Sequence, residues 1–312
     1  MLNKLKGMPV PLLPTMVGAC TLANVLNGFD GFTWVRNATF IAATIIWLLY
    51  CVKVICFFDV CKKEYSQTVP ASLYAGFPMI MMLLGSFYLP YNAPIAKALW
   101  FGGVIIDACH ICLFIINNLI KNRSWDTFVP SWFVTSNGIM VAAVIGAPME
   151  QPLICTIITY WGIFAFTALI PFMVYRLATK PIKAGMYHTQ AIVLAPCSLS
   201  IVCYLTHIAN PSPFIVYYLY IAVVCSLIFI CYKLPSFFEV PFYPGFAGLT
   251  FPMAIGIVAT AKFCGFLTAA GNESLAAIFT QIKGFQIYFT CGIIFYVLLG
   301  FVRLFINSCK KA

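Results

Sequence analysis

Residues 246–267 read FAGLTFPMAIGIVATAKFCGFL. As a helix this run extends about 33 Å at 1.5 Å per residue, enough to cross a hydrocarbon core of roughly 30 Å. Its only charge, Lys262, lies toward its end, and Gly248, Pro252 and Gly256 punctuate it. The apolar residues are continuous rather than alternating, which rejects a β-barrel strand. Comparable runs occupy approximately 12–26, 34–58, 71–89, 95–120, 129–147, 153–177, 191–208, 214–232 and 280–306. The composition of all 312 residues agrees: 62% are hydrophobic and 8% charged, and the mean hydropathy is +0.97. A soluble domain is nearer half apolar and a quarter charged. So few charges cannot cover a soluble surface, which excludes a cytosolic enzyme, a disordered chain and a secreted disulfide scaffold. The expected fold is an all-α polytopic membrane protein, with ten transmembrane helices in one domain over residues 1–312.

The net charge of +10 reports topology rather than a nucleic-acid partner. Ten spans put both termini on one side. That side holds Lys4, Lys6, Lys53, Lys62, Lys63, Lys121, Arg123, Arg176, Lys180, Lys183, Lys233, Arg303, Lys310 and Lys311. The other holds Arg36, Lys97, Lys262 and Lys283. The excess of basic residues on the terminal side predicts cytoplasmic termini in a cell membrane, plasma or inner. Most of the fourteen cysteines fall inside apolar runs, where they act as small hydrophobes. Met1–Val10 reads as no removable signal peptide.

Pairing the spans exposes a repeat. Pro14, Pro78, Thr135, Pro196 and Pro252 recur at separations of 64, 57, 61 and 56 residues. The pattern predicts five parallel helical hairpins of about 60 residues, and like units of this kind can close into a ring. The odd-numbered spans are nearly free of charge and rich in Gly and Pro: Pro14 and Gly18, Gly76 and Pro78, Gly138, Pro196, and the Gly245–Gly256 region. Interior proline frees a carbonyl that needs a partner or an aqueous cavity. The odd spans are therefore expected to form a bent inner ring of five around a pore. The longer even spans form an outer ring of five facing lipid. The alternative is that these small residues serve close helix packing.

A pore lined by the odd spans has no carboxylate or arginine ring. Its polar candidates are Thr15, Thr21, Ser72, Ser131, Thr135, Ser136, Asn137, Ser198, Ser200 and Thr250. Such a lining suits fast, weakly selective passage of anions. Lys262 either raises the local anion concentration at the outer mouth or is a snorkelling interfacial lysine.

The residues Leu249-Thr250-Phe251-Pro252-Met253 with Ala259-Thr260-Ala261-Lys262 resemble the ninth helix of the tellurite-resistance/dicarboxylate transporter family. That family includes bacterial TehA, fungal malate and sulfite exporters and plant guard-cell slow anion channels. Ala191–Pro196 is similar to its seventh helix, and Pro130-Ser131-Trp132-Phe133 to the start of its fifth. The resemblance implies five inner and five outer helices and a homotrimer with one pore per protomer; no cofactor is expected. It also implies that Phe251 plugs the pore at mid-membrane. Taken from its residue type alone, Phe251 is one phenylalanine among 29 and reads as core packing. Thr135 departs from the family, whose fifth helix tends to carry a kink proline.

Asp107, Cys109, His110 and Cys112 sit together on the fourth span. Residues three apart share a helix face, so an Asp107–His110 hydrogen-bonded pair is expected. An intramembrane carboxylate also raises proton coupling. One helix cannot supply a closed tetrahedral metal set, so no metal is assigned. His188 and His207 read as structural, and Glu239 is expected to meet a cytoplasmic basic residue. No nucleophile elbow, P-loop or dinucleotide fingerprint occurs, so an enzyme is not expected. The favoured function is a passive channel for small inorganic or organic anions, gated by Phe251. The alternative is a secondary carrier for dicarboxylates, tellurite or sulfite-like oxyanions, proton-coupled through Asp107.

Overall fold

The computed structural model describes residues 2–310, and every regular element among them is helical. The first half runs α1 (Leu12–Leu26), α2 (Thr33–Cys56), α3 (Phe58–Tyr65), α4 (Thr68–Leu73), α5 (Gly76–Tyr88) and α6 (Ala93–Ile115). Two short helices follow, α7 (Trp132–Gly138) and α8 (Met140–Val144), and then α9 (Pro152–Thr179). A 3₁₀ stretch, Ala184–Val193, leads into α10 (Leu194–His207), which is followed by α11 (Pro213–Phe238). A second 3₁₀ turn, Pro244–Leu249, leads into α12 (Thr250–Ala269) and α13 (Glu273–Lys310).

Eight helical stretches are long and apolar enough to cross a membrane, which marks a multi-pass membrane protein. The expectation of ten such helices is met at eight places. Of the remaining two, Leu12–Leu26 is a shorter apolar helix. The expected span over 129–147 is divided into α7 and α8 at Ile139. Gly138 closes α7, and glycine is among the weakest residues at holding a helix together.

Burial separates the helices into two sets. In the stretches Thr68–Tyr88, Ala184–His207 and Pro244–Ala269, 67%, 89% and 72% of an apolar 18-residue window are buried. In Thr33–Cys56, Ala93–Lys121, Pro152–Thr179, Pro213–Phe238 and Glu273–Ser308 only 22–33% of such a window is buried. Most of α1, from Leu13 to Ala23, is buried as well. Those exposed helices carry outward Ile, Leu and Phe, such as Ile45, Ile105, Phe164, Ile221 and Phe295, which would be untenable against water but suits lipid.

The prolines of the buried segments share one position. Pro14, Pro78, Pro196 and Pro252 are each the third residue of an α-helix: α1, α5, α10 and α12. The first-turn amides of a helix have no intrahelical partner, so proline there sacrifices no hydrogen bond. These residues sit where the α-helical part of each segment begins, in two cases directly after a 3₁₀ stretch. The prolines inside helices are Pro171 of α9 and Pro235 of α11, both in the exposed set.

The buried segments touch one another in sequence order. α1 packs on α5, α5 on α7 and α8, these on α10, α10 on α12, and α12 back on α1. Glycine permits the closest approaches. A Cβ on Gly76 would meet the backbone nitrogen of Pro14 at 2.8 Å, and one on Gly248 the carbonyl oxygen of His188 at 2.5 Å.

Candidate functional site

Three cavities lie along the buried segments and share lining residues end to end. The near cavity, about 730 Å³, opens beside Val10, Glu64, Thr68, His188 and Tyr243. Leu73, Ile192, Ala247 and Gly248 are common to it and to a neck of only about 30 Å³. A cavity needs roughly 10–15 Å³ to admit one water, so the neck has room for at most two or three waters and for no hydrated ion. Leu199 and Phe251 are common to the neck and a far cavity of about 590 Å³, which opens beside Thr21, Asn24, Phe29 and Lys283.

The neck lining is apolar throughout. Pro14, Met79, Phe133, Val134, Gly138, Ala195 and Pro252 join the residues that the neck shares with the two larger cavities, and no charged or hydroxyl side chain takes part. This corrects the expectation of a hydroxyl-lined path. Of the ten polar candidates only Thr21 lines one of the three cavities, the far one. Four of the others turn to backbone: Thr15 donates to Pro11 O, Ser72 to Val69 O, Ser200 to Pro196 O and Thr250 to Ala247 O. A hydroxyl inside an apolar bundle gains more from the nearest carbonyl than from facing an apolar tube.

Phe251 is 7% exposed. Its backbone is held on two sides. Gly18 of α1 lies against it, so that a Cβ there would fall 2.6 Å from the Phe251 nitrogen. The Thr250 hydroxyl lies 2.7 Å from Ala247 O and 3.4 Å from Pro14 O. Gly18 itself lines none of the three cavities, and what it permits is this close approach. Thr135 shares a 3.2 Å hydrogen bond with His110 Nε2.

Asp107 and His110 both face inward from α6, yet they do not bond to each other. His110 Nδ1 bonds the Tyr65 hydroxyl at 2.7 Å. Both Asp107 carboxylate oxygens are buried without a hydrogen-bond partner. Oδ2 lies 3.4 Å from where a Gly138 Cβ would stand, behind the neck wall at the α7–α8 break. Cys109 and Cys112 are exposed on the opposite side of α6, so the four residues do not form one cluster. Burial, and after it the Asp107 carboxylate, pushes the Tyr65 phenol up to about 12, leaving it a neutral hydroxyl near neutral pH.

At the near cavity, sequence reading missed a buried ion pair. Lys53 Nζ donates to both Glu64 oxygens at 2.8 and 2.9 Å and to Met8 O at 2.8 Å, and the Tyr74 hydroxyl donates to the same carboxylate. Lys53 is fully buried, Glu64 26% exposed. The charge count treats Lys53 only as one more basic residue of the terminal side. The signal available was Glu64 eleven residues on, in a segment with few acids. His188 bonds Tyr243 Oη at 2.7 Å and donates from Nε2 to Phe237 O at 3.0 Å. His207 Nε2 donates to Ala143 O at 2.6 Å. Glu239 is exposed and makes no ion pair among the described residues, contrary to expectation.

Lys262 is exposed and lines none of the three cavities. The far cavity has Lys283 of α13 instead. At the same end, Lys97 pairs with Glu150 at 2.8 Å, and that ammonium holds the Glu150 carboxyl below its usual range.

Two wide cavities with polar edges thus lie on either side of an apolar constriction. Comparison with curated proteins gives no match. The family model described as SLAC1, voltage-dependent anion channel, matches residues 8–305, which include all of the helices and cavities above save the last residues of α13. The chain belongs to the SLAC1 family of voltage-dependent anion channels.

Proposed function

We propose that the protein is a passive channel for small anions, closed by the Phe251 ring in an apolar neck. Ten membrane crossings form five hairpins, with α1, α4–α5, α7–α8, α10 and α12 inside and α2, α6, α9, α11 and α13 outside. Both termini face the cytoplasm of a cell membrane, and protomers assemble as homotrimers with one pore each. The observation that carries the reading is the serial arrangement of vestibule, neck and vestibule, with Phe251 bordering both the neck and the far cavity.

The chemistry is simple. An ion entering the neck must shed its hydration shell, and neither a charge nor a hydroxyl there replaces it. Hydrophobic constrictions of this kind gate by dewetting. Because the backbone at Phe251 is fixed by Gly18 and Thr250, opening is rotation of the side chain rather than unbending at Pro252. Replacing Phe251 by Ala removes the ring and widens the neck, and bilayer recordings of that variant test the reading.

One observation favours a second reading, a proton-coupled carrier for dicarboxylates or similar oxyanions. Asp107 is a buried carboxylate without a partner behind the neck wall. Ionisable groups at such depth commonly serve coupling. Saturable uptake driven by a pH gradient and abolished by Asp107→Asn would select the carrier.

A further inference from the structure

The far cavity carries a polar arrangement that the gate does not use. Thr21, Asn24 and Lys283 are its polar side chains, and no acidic residue lines it. Lys283 makes no ion pair among the described residues. Arg36 lies behind the wall. Its Nε donates to Asn24 Oδ1 at 2.9 Å, and its guanidinium sits over the rings of Phe40 and Phe87 at 5.3 and 5.0 Å.

The hydrogen-bond inventory fixes what Asn24 offers. Arginine Nε–H only donates, so the amide oxygen must face Arg36. The NH₂ group, with two donors and no acceptor, is what remains for the cavity. The Thr21 hydroxyl is committed to Val17 O at 2.8 Å. A fixed amide donor, a free ammonium and a second cation one residue behind make a donor-only, positively polarised surface. Such surfaces bind anions and raise their local concentration. The two aromatic faces restrain the guanidinium, so the amide is held in one orientation before any ion arrives.

We propose that the far cavity contains an anion-recognition subsite, formed by Lys283 Nζ and the Asn24 amide, with Arg36 as the positioning residue that orients Asn24. It takes small monovalent anions able to accept from both donors. The subsite rests on the anion-transport reading and deepens it: recognition occurs in the vestibule, beside the apolar neck and not within it.

The test is nitrate binding to the purified full chain, read as a thermal-unfolding shift at constant ionic strength with gluconate as the balancing anion. Nitrate should raise the melting temperature of the wild type saturably. Lys283→Gln should raise the half-saturating nitrate concentration about tenfold, the lower end of what local charge focusing supports, and Asn24→Leu about three- to tenfold, the loss of one hydrogen bond. Lys283→Arg should restore binding, and Lys262→Gln should leave it unchanged. Arg36→Gln should weaken binding in the wild type but add nothing in the Asn24→Leu background, because the two residues act as one unit. A purely structural role for Arg36 would lower stability equally in both backgrounds and leave the nitrate response intact. A wild type without a saturable nitrate response, or a Lys283→Gln variant that binds like wild type, overturns the subsite. Binding is read in the closed protein, so a Phe251→Ala variant that fails to conduct would sink the gate and leave this result to stand or fall separately.

Discussion

Gly18 and Phe251 meet backbone to backbone: a Cβ on Gly18 would come within 2.6 Å of the Phe251 nitrogen and 2.7 Å of the Thr250 carbonyl carbon. Those atoms are main chain and cannot swing aside. Gly18→Ala must push α1 and α12 apart, at about 1–3 kcal/mol for overpacking. Gly265, on the same helix as Phe251, has nothing within 4 Å of its would-be Cβ. Gly265→Ala should therefore be neutral or stabilising by up to about 1 kcal/mol. Thermal unfolding in detergent should show a clear loss for the first variant only. Equal melting temperatures would mean the helices do not approach this closely.

The Lys53–Glu64 pair makes a second prediction. Glu64→Gln leaves a fully buried ammonium with the Met8 carbonyl and a neutral amide. Stranding a buried charge costs several kcal/mol, and the partial exposure of Glu64 brings the expected loss to about 2–3 kcal/mol. Adding Lys53→Met removes the stranded charge, while the amide oxygen introduced at position 64 still accepts from the Tyr74 hydroxyl. The double variant should be more stable than Glu64→Gln alone. Losses that simply add would show the two groups to be independent.

What could be read from the sequence follows from the range of each interaction. Helix positions are legible because apolar runs and first-turn prolines are local: α1 begins and ends where the run at 12–26 does. The change from 3₁₀ to α-helix just before Pro196 is not legible, since a 3₁₀ segment such as Ala184–Val193 leaves little mark on hydropathy. The division of the fifth span at Ile139 is hidden for the same reason. Phe251 is reached through a motif resemblance, and nothing in its own neighbourhood separates a neck residue from core. Lys262 and Lys283 are indistinguishable by charge, because which one borders a cavity depends on how α12 and α13 turn. Asp107 and His110 share a face as their spacing requires, but Tyr65 and Thr135, distant in sequence, take the histidine.

Asp107 separates the two functional readings. If the protein is a passive channel, Asp107→Asn should keep its anion conductance, and the current should not depend on an imposed pH gradient. The measurement is anion flux into proteoliposomes with and without that gradient. Uptake that requires the gradient and disappears in Asp107→Asn would transfer the assignment to a carrier.

The His110 bonds give a smaller effect with a sharp control. Tyr65→Phe removes the hydroxyl on Nδ1 and leaves the Thr135 contact, which should lower stability by about 0.5–1.5 kcal/mol. Tyr160→Phe, at a tyrosine exposed on the outer face of α9, should change it by less than about 0.5 kcal/mol. Chemical unfolding of both variants compares them, and equal effects would remove Tyr65 from the His110 network.

Single-channel recording of wild type beside Phe251→Ala, in planar bilayers with nitrate or chloride, is the most direct examination of the gate. The apolar neck and its ring imply a nearly silent wild type and a conducting variant. The expected rise is about tenfold or more, the ratio given by ~1.4 kcal/mol of barrier. The variant's current should reverse at the anion equilibrium potential. Equal conductance of the two proteins, or a variant current carried by cations, would contradict the assignment of Phe251 as the stopper of an anion path.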